Sequence, residues 1–311
     1  MNHPNLVAWV GIAIVAAAVP FLAANPYQVR VGVVSFYYFL LVTSWALLFG
    51  RAGQFSLAHV AIATIGAYVS IGLSAGLGLP VVVAMPLAAI FAALLATLLA
   101  LASLRLTGIY LALLTLAFAE ATKAILRSAD DLTGGARGLF APHLFDTPSN
   151  LPYYYLGMAI VALFLVCQAA LLRTRVRLYL AAIRHDQERA IGIGVNVLRW
   201  KTTIFAYSGA WAGLAGAYLA HFQGLVSPDM LDTSEMALVM IMAMTGGITT
   251  KFGPIFGTVG VRIVSEALHA WSAVLGVFLI ALALVVFVRF TAVGGWKGKR
   301  TIWKSRAGGC R

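Results

Sequence analysis

Long, uninterrupted apolar segments recur along this chain and restrict what it can fold into. They extend from residue 6 to residue 290, and most contain about 20 residues, the length that crosses the hydrocarbon core of a bilayer as a helix. Only 10% of the residues are charged and 61% are hydrophobic, unlike a soluble domain. The short alternating strands of a membrane barrel are absent from the pattern. The sequence therefore predicts an all-α integral membrane protein.

We expect about ten transmembrane helices. The third segment begins, and the eighth ends, in a polar stretch that contains glycine, so these two could be broken, re-entrant or short. The predicted spans are 6–24, 29–49, 54–77, 80–104, 107–126, 152–172, 202–224, 234–250, 253–270 and 272–290. They form one predicted transmembrane domain over residues 1–290, which a basic, disordered tail follows over 291–311.

The distribution of basic residues predicts the orientation of the chain. If the N-terminus lies in the cytoplasm, the 173–201 loop and the 289–311 region, with seven Lys and Arg each, also lie there. In this arrangement the basic residues on the outer side of the membrane are only Arg30, Arg127 and Arg137. Cytoplasmic loops of membrane proteins are enriched in Lys and Arg, so both termini are predicted to be cytoplasmic. The net charge of +12 then needs no nucleic-acid partner, and the tail is expected to contact anionic lipid.

The sequence lacks the motifs that are typical of nucleotide binding, metal binding or nucleophilic catalysis. The stretch 294–301 (GGWKGKRT) lacks the spacing of a phosphate-binding P-loop. We find no Cys/His cluster for a metal and no nucleophile motif, so we expect no catalytic residues, no metal site and no cofactor bound by this chain. If the chain is an active transporter, its energy must come from a partner or from an ion gradient.

The 181–201 loop (AAIRHDQERAIGIGVNVLRWK) is long enough to carry a short amphipathic helix. Ile183, Ala190 and Ile191 can share one face of that helix, with charges elsewhere. Gly192 and Gly194 would end it. Such a helix either lies at the lipid interface or docks into a groove on a soluble partner.

Polar side chains inside predicted spans are candidate functional groups, because each is costly in lipid. Gln54, Ser56 and His59 follow the glycine-flanked start of the third span, and Ser56 and His59, three residues apart, would share a helix face. They line a translocation path or form an interhelical hydrogen-bond cluster.

Two further groups of charges lie within predicted spans or directly beside them. Glu120, Lys123 and Arg127 have the spacing of a self-compensating ladder on one helix, or they form an outer vestibule with Glu120 facing the solute. Arg262 and Glu266 have the spacing of a buried charge pair, which either pairs structurally or contacts substrate.

Glycines four residues apart predict closely packed helices. The pairs are Gly72–Gly76, Gly209–Gly213 and Gly253–Gly257, and Gly216 and Gly260 extend the last two.

Several segments, in order along the chain, resemble the LivM-type permeases of branched-chain amino acid ABC transporters. They include the 184–201 loop and these stretches: 53–68 (GQFSLAHVAIATIGAY), 108–120 (GIYLALLTLAFAE), 132–139 (LTGGARGL), 208–216 (SGAWAGLAG), 224–231 (GLVSPDML) and 246–257 (GGITTKFGPIFG). The resemblance extends through most of the chain up to about residue 296.

The resemblance implies a permease subunit of a bacterial inner-membrane importer, forming half of the path for branched-chain or other hydrophobic amino acids. Its implied partners are a second homologous permease, two ATP-binding cassette ATPases that use the ATP, and an extracytoplasmic solute-binding protein. It also implies an ATPase-coupling helix with these residues: Arg184, Asp186, Glu188, Arg189, Ala190 and Gly194. The residues alone leave open a self-sufficient secondary transporter or channel for a small solute such as urea or a short amide.

Overall fold

The computed structural model describes residues 20, 25–104, 106–145, 147, 149–173, 175–248 and 253–269. The predicted first span apart from Pro20, the predicted last span and the 291–311 tail lie outside these residues.

The described residues form eleven α-helices and two short strands. The helices are α1 Pro26–Ala52, α2 His59–Ile71, α3 Val81–Ala102, α4 Ile109–Ser128, α5 Asp130–Thr133, α6 Leu151–Arg173, α7 Val176–His185, α8 Gln187–Gly192, α9 Val197–Gln223, α10 Thr233–Gly246 and α11 Gly253–His269. A π-helical turn, Gly72–Gly76, extends α2, and 3-10 turns cover Gly135–Arg137 and Pro228–Leu231. The strands β1 Leu139–Phe140 and β2 Leu225–Val226 pair antiparallel.

Each of the eight predicted spans between residues 29 and 270 coincides with a helix. Within the part of the chain that the structure describes, five helices are long and apolar enough to cross a membrane. They are Pro26–Ala52, His59–Gly76, Val81–Ala102, Ile109–Ser128 and Leu151–Leu172; α10 is a shorter apolar helix. The chain is thus an all-α protein of multi-pass membrane type.

The long helices run alternately between two ends of the bundle. At one end, which we call the basic end, Arg184 of α7 contacts Gly50 near the end of α1. Also at the basic end, Lys201 at the start of α9 contacts Leu104, which follows α3. At the opposite end, which we call the strand end, β1 and β2 join the connection after α4 to the connection after α9. The alternation places the 173–201 loop on the same side as the end of α1.

Helix α9 lies at the centre of the bundle and packs against α1, α2 and α3. Gly213 faces Ala92 on one side and the backbone of Gly66 on another, and a Cβ at Gly216 would collide with the carbonyl of Ala63. These contacts agree with the close packing predicted from the glycine spacing.

Within the described residues, one glycine pair and one extension lack the predicted close contact. Gly72 and Gly76 have no described neighbour within 4 Å of a built Cβ, and the same is true of Gly260. Gly257, by contrast, packs directly against α10. Spacing alone therefore predicted the close contacts of α9 and of Gly257, whereas the glycines of the π-helical turn have no such contact with the described residues.

Helices α3, α4 and α6 carry large apolar side chains on their outer faces. Leu94, Leu98, Leu113 and Val166 are each more than half exposed in the isolated chain. A water-soluble protein does not leave so much apolar surface uncovered, and lipid or a neighbouring membrane subunit covers such faces.

Candidate functional site

The backbone breaks between α1 and α2, inside the bundle. Helix α1 ends at Ala52, and Gly53, which follows it, has a φ of 69°, a left-handed conformation that glycine adopts without strain. Residues 53–58 are not helical, and α2 begins at His59. Ser56 lies in this segment, and its carbonyl accepts a hydrogen bond from Trp45 Nε1 at 2.7 Å. The prediction that Ser56 and His59 share a helix face is therefore wrong, because only His59 is helical.

His59 is 3% exposed and bonds to the central helix α9. Its Nε2 lies 2.6 Å from Ser208 Oγ, and Ser208 Oγ donates to the carbonyl of Ser44 at 2.9 Å. Since the single hydroxyl proton of Ser208 is used in that second bond, His59 Nε2 must carry the hydrogen of the first bond. His59 Nδ1 is then an acceptor, and it is buried without a partner among the described residues.

A small cavity lies beside His59, between the α1–α2 break and α10. Its volume is about 10 Å³, and it is lined by Trp45, Ser56, Leu57, His59, Val60, Met236, Val239 and Met240. That volume holds one water molecule at most. Gln54 does not line it; its side-chain amide donates to the carbonyl of Ala52 at 3.2 Å.

Glu120 lies apart from this cavity, on α4 toward the strand end. Its side chain is exposed, and Thr233 Oγ1 donates to its carboxylate at 3.4 Å. The structure therefore separates Glu120 from the other three residues predicted to line a path.

The neighbouring cations on α4 pair with the segment before α10. Lys123 Nζ lies 2.5 Å from Asp232 Oδ1, and Arg127 Nη2 lies 2.9 Å from Asp229 Oδ1. The predicted ladder along one helix is wrong, since both cations pair with acids across the strand end. Spacing within a helix could not reveal these partners, which are about a hundred residues away.

Arg262 and Glu266 are neighbours on α11, with Nη2 and Oε2 3.4 Å apart. The guanidinium of Arg262 also lies 5.2 Å from the ring centre of Tyr38, whose hydroxyl donates to Glu235 at 2.8 Å. The hydroxyl of Tyr27 contacts Glu266. The charges are thus shared with two tyrosines of α1, so α1 and α11 are held together by polar contacts as well as by packing.

The polar loop at the basic end forms two short helices, where one was predicted. The break falls at Asp186, whose backbone is extended (φ −164°, ψ 116°). Its side chain accepts from the backbone N–H groups of Glu188 and Arg189 at 3.0 and 3.1 Å. A carboxylate in this position caps a new helix, and this competes with continuation of the first one.

A small apolar core joins α7 and α8 into what we call the two-helix unit. Ile183, Ala190 and Val195 are buried together, whereas Ile191 is 61% exposed. The prediction that Ile191 shares their face is wrong, because the break at Asp186 changes the direction of the second helix. The predicted glycine stop is confirmed: α8 ends at Gly192, and Gly194 has a φ of 81°.

Two basic residues attach the two-helix unit to the membrane helices. Arg184 Nη1 donates to the carbonyl of Gly50. Lys201, 1% exposed, donates to the carbonyl of Leu104 at 3.2 Å and lies 3.5 Å from Gln187 Oε1. Burial lowers the pKa of the Lys201 ammonium. Sequence reasoning grouped Lys201 with the solvated charges of the loop and missed this role; its position directly before an apolar span was the only signal.

The outer surface of the two-helix unit is concave and carries both charged and apolar side chains. An open groove of about 410 Å³ is lined by Ala182, His185, Asp186, Arg189, Ala190 and Ile193. Arg184, Glu188 and Arg189 are exposed beside it, and Arg189 Nε lies 3.0 Å from Asp186 Oδ2. Such a surface offers both charges and an apolar floor to a protein partner.

Together these features define a multi-pass helical membrane protein with a buried polar break in its bundle and a structured polar unit at its basic end. Residues 27–290 match the family described as "Branched-chain amino acid transport system / permease component". The chain belongs to this family of permease components.

Two curated relatives give the same indication. The chain is 30% identical over 278 residues to the high-affinity branched-chain amino acid transport system permease protein LivM of Escherichia coli (strain K12). It is 29% identical over 276 residues to the protein of the same name from Salmonella typhimurium (strain LT2). In both comparisons the match covers 80% of this chain and 65% of the relative, so the chain spans just under two thirds of the length of these relatives. No solved structure matches the chain.

Proposed function

We propose that this chain is the transmembrane permease subunit of an ATP-binding-cassette importer and forms half of the path for branched-chain or other hydrophobic amino acids. The family and the names of the relatives support this proposal. The observation that carries it is the two-helix unit, because a structured polar surface attached to several membrane helices suits a partner that moves those helices.

The proposed complex contains a second homologous permease, two ATPases and an extracytoplasmic solute-binding protein, and it lies in a bacterial inner membrane. The ATPases dock on the two-helix unit and use the ATP, so this chain binds no cofactor. The chain itself crosses the membrane ten times with both termini in the cytoplasm. The basic end is then cytoplasmic, and the strand end faces the binding protein.

The docking surface consists of the exposed side chains of the two-helix unit, with Arg184, Glu188 and Arg189 beside the groove. Because Ile183 and Ala190 share one apolar core, α7 and α8 move together when the ATPases close. The bonds of Arg184 to Gly50 and of Lys201 to Leu104 carry that movement to α1 and α3.

The translocation path passes the α1–α2 break. Irregular backbone inside a membrane protein is tolerated only against protein or water, which suits a wall of a path. Gln54, Ser56 and His59 form this wall, and all three are buried in the present, closed arrangement. Glu120 lies on α4 toward the strand end and belongs to the outer mouth.

The experiment is to tag the chain, extract it gently from its native membrane and identify by mass spectrometry what comes with it. We expect a second permease and a P-loop ATPase in stoichiometric amounts, and ATP-dependent leucine uptake by vesicles that contain the complex and its binding protein. Recovery of this chain alone, with solute uptake that needs no ATP, would contradict the proposal and make the chain a secondary transporter or channel.

A further inference from the structure

Three arginines meet at the basic end, where α7 contacts the end of α1. Arg51 lies in the last turn of α1, and Arg177 and Arg184 are seven residues apart on α7, which places them on one face of that helix. Arg184 donates to the carbonyl of Gly50, the residue before Arg51. The charges of Arg177 and Arg184 both repel that of Arg51. We call these three residues the arginine cluster.

The arginine cluster has no acidic partner in the part of the chain that the structure describes. None of the four ion pairs found there includes a member of the cluster. The acid closest in sequence, Asp186, pairs with Arg189 and caps α8. Three like charges that are held close together favour a bound anion, because the anion removes their mutual repulsion.

The cluster lies at the level where the membrane helices end. Val176 and Leu180 of α7 are buried in one apolar cluster with Leu48 of α1, so the first half of α7 packs against the last turns of a membrane span. Leu178, directly after Arg177, is 69% exposed. An exposed apolar side chain next to a cation at the end of a span is typical of the lipid interface, where headgroups meet acyl chains.

The charge of the cluster distinguishes it from the groove at the junction of α7 and α8. Among the described residues, those that line the groove include none of the three arginines. The groove contains both Asp186 and Arg189, so it offers both signs of charge, whereas the cluster is purely positive. A protein partner of mixed charge suits the groove, and the phosphate group of a lipid suits the cluster.

We propose that the arginine cluster binds the phosphate group of an anionic phospholipid. The guanidinium groups of Arg51 and Arg177 donate to the phosphate oxygens, a pairing that the planar fork of arginine favours. The acyl chains extend past Leu178 into the bilayer. The bound phosphate also keeps Arg184 against Gly50, because it offsets the repulsion from the other two cations. This site requires a bilayer but no transported solute, so it does not depend on the proposed transport function.

The test measures lipid binding to the protein as it is purified from its membrane, together with the subunits that accompany it. Native mass spectrometry counts the lipids that remain bound after exchange into detergent micelles containing dioleoylphosphatidylglycerol or dioleoylphosphatidylcholine. The two lipids have the same acyl chains, but only the first has a net negative charge. We expect the protein to retain phosphatidylglycerol in preference to phosphatidylcholine. Millimolar inorganic phosphate should not displace it, since free phosphate lacks the contribution of the acyl chains.

Single substitutions locate the binding site. Arg177→Gln removes an exposed member of the cluster, and we expect the affinity for phosphatidylglycerol to fall roughly fivefold, as for the loss of one cation near anionic lipid. Arg51→Gln should have a similar effect. The matched control is Arg199→Gln, which removes an equal charge from an exposed position in the first turn of α9, also at the basic end. It should leave the affinity unchanged.

Four results would each overturn the proposal. Equal retention of the two lipids, or unchanged affinity in both cluster variants, would mean that the cluster binds no anionic lipid. An equal loss in Arg199→Gln would mean that the basic end attracts lipid through its total charge, without a site. Displacement by inorganic phosphate would assign the cluster to free phosphate. Binding to the chain alone but not to a complex with ATPases would assign it to the ATPase contact.

Discussion

At the scale of single residues, three buried titratable side chains fasten the central helix α9. His59 reaches α9 from α2 through Ser208, and His221 of α9 bonds back to Ser70 of α2 at 2.8 Å. Lys201 fastens the start of the same helix and, like the two histidines, is at most 3% exposed. Buried polar groups that are paired fix one packing arrangement, because any shift of the helix breaks them.

The two ion pairs of the strand end provide a comparison of burial. The side chain of Lys123 is 16% exposed, whereas that of Arg127 is 50% exposed. Ion pairs exposed to solvent contribute about 0–1 kcal/mol. We expect double-mutant cycles with Lys123→Met and Asp232→Asn to give a larger coupling than cycles with Arg127→Met and Asp229→Asn. The coupling is measured from thermal unfolding of the purified complex, and equal values would contradict the role assigned to burial.

Removal of the Arg184 contact tests the transmission of movement. A hydrogen bond from a charged group to a carbonyl contributes about 1.5–3 kcal/mol when it is well shielded, and less here because the Arg184 side chain is partly exposed. We expect Arg184→Met to lower the amount of leucine transported per ATP hydrolysed several-fold, without loss of the assembled complex.

The matched control is Arg175→Met, which removes an equal charge from an exposed position on the same loop. It should leave the ratio of transport to ATP hydrolysis near that of the unmodified complex. An equal effect of both substitutions would mean that the loop acts through its charge alone and that the contact with Gly50 transmits no movement.

At the scale of helices and strands, the length and apolarity of each segment predicted the positions of eight helices, since little else about a membrane span is needed. The same reasoning failed at Asp186. Periodicity alone permits one helix through this residue, but its carboxylate caps a second helix in competition with the first. Partners distant in sequence, such as Ser208 for His59 and Asp232 for Lys123, were equally beyond reach, because they depend on how the helices pack.

The glycines of α9 permit a prediction about packing. Gly216→Ala would place a methyl group against the carbonyl of Ala63, and overpacking of this kind costs about 1–3 kcal/mol. We expect this variant to lower the thermal midpoint of the complex. Gly260→Ala, on the exposed side of α11 with no described neighbour within 4 Å, should leave the midpoint unchanged or raise it slightly.

At the scale of the whole molecule, the helices alternate between two ends that differ in charge. The cations of the two-helix unit lie at one end, and Asp229 and Asp232 lie at the other. The positive-inside rule predicted this separation from sequence, because loop charges report orientation without any knowledge of packing. Which residues of each helix face inward could not be predicted in this way, because that depends on how the helices pack in three dimensions.

Two single cysteines test this orientation in a background without Cys167 and Cys310. Glu188→Cys lies on the exposed surface of the two-helix unit, and Phe140→Cys lies on β1, where the native side chain is 84% exposed. In intact cells a membrane-impermeant maleimide should label position 140 and not position 188. In inverted vesicles the pattern should reverse. Labelling of both positions from the same side would show that the proposed topology is wrong.

Ile248, which follows α10, and Arg184 of α7 both contact Gly50 of α1, and this shared contact has a mechanical consequence. A contact transmits a displacement only if the groups that form it have little freedom to move. A long side chain at position 50 could absorb the displacement by changing its rotamer. Glycine has no such freedom, because its backbone contacts Ile248 and Arg184 directly. Stiffness at this point, more than the strength of any one bond, would set how far α10 moves for a given movement of the two-helix unit.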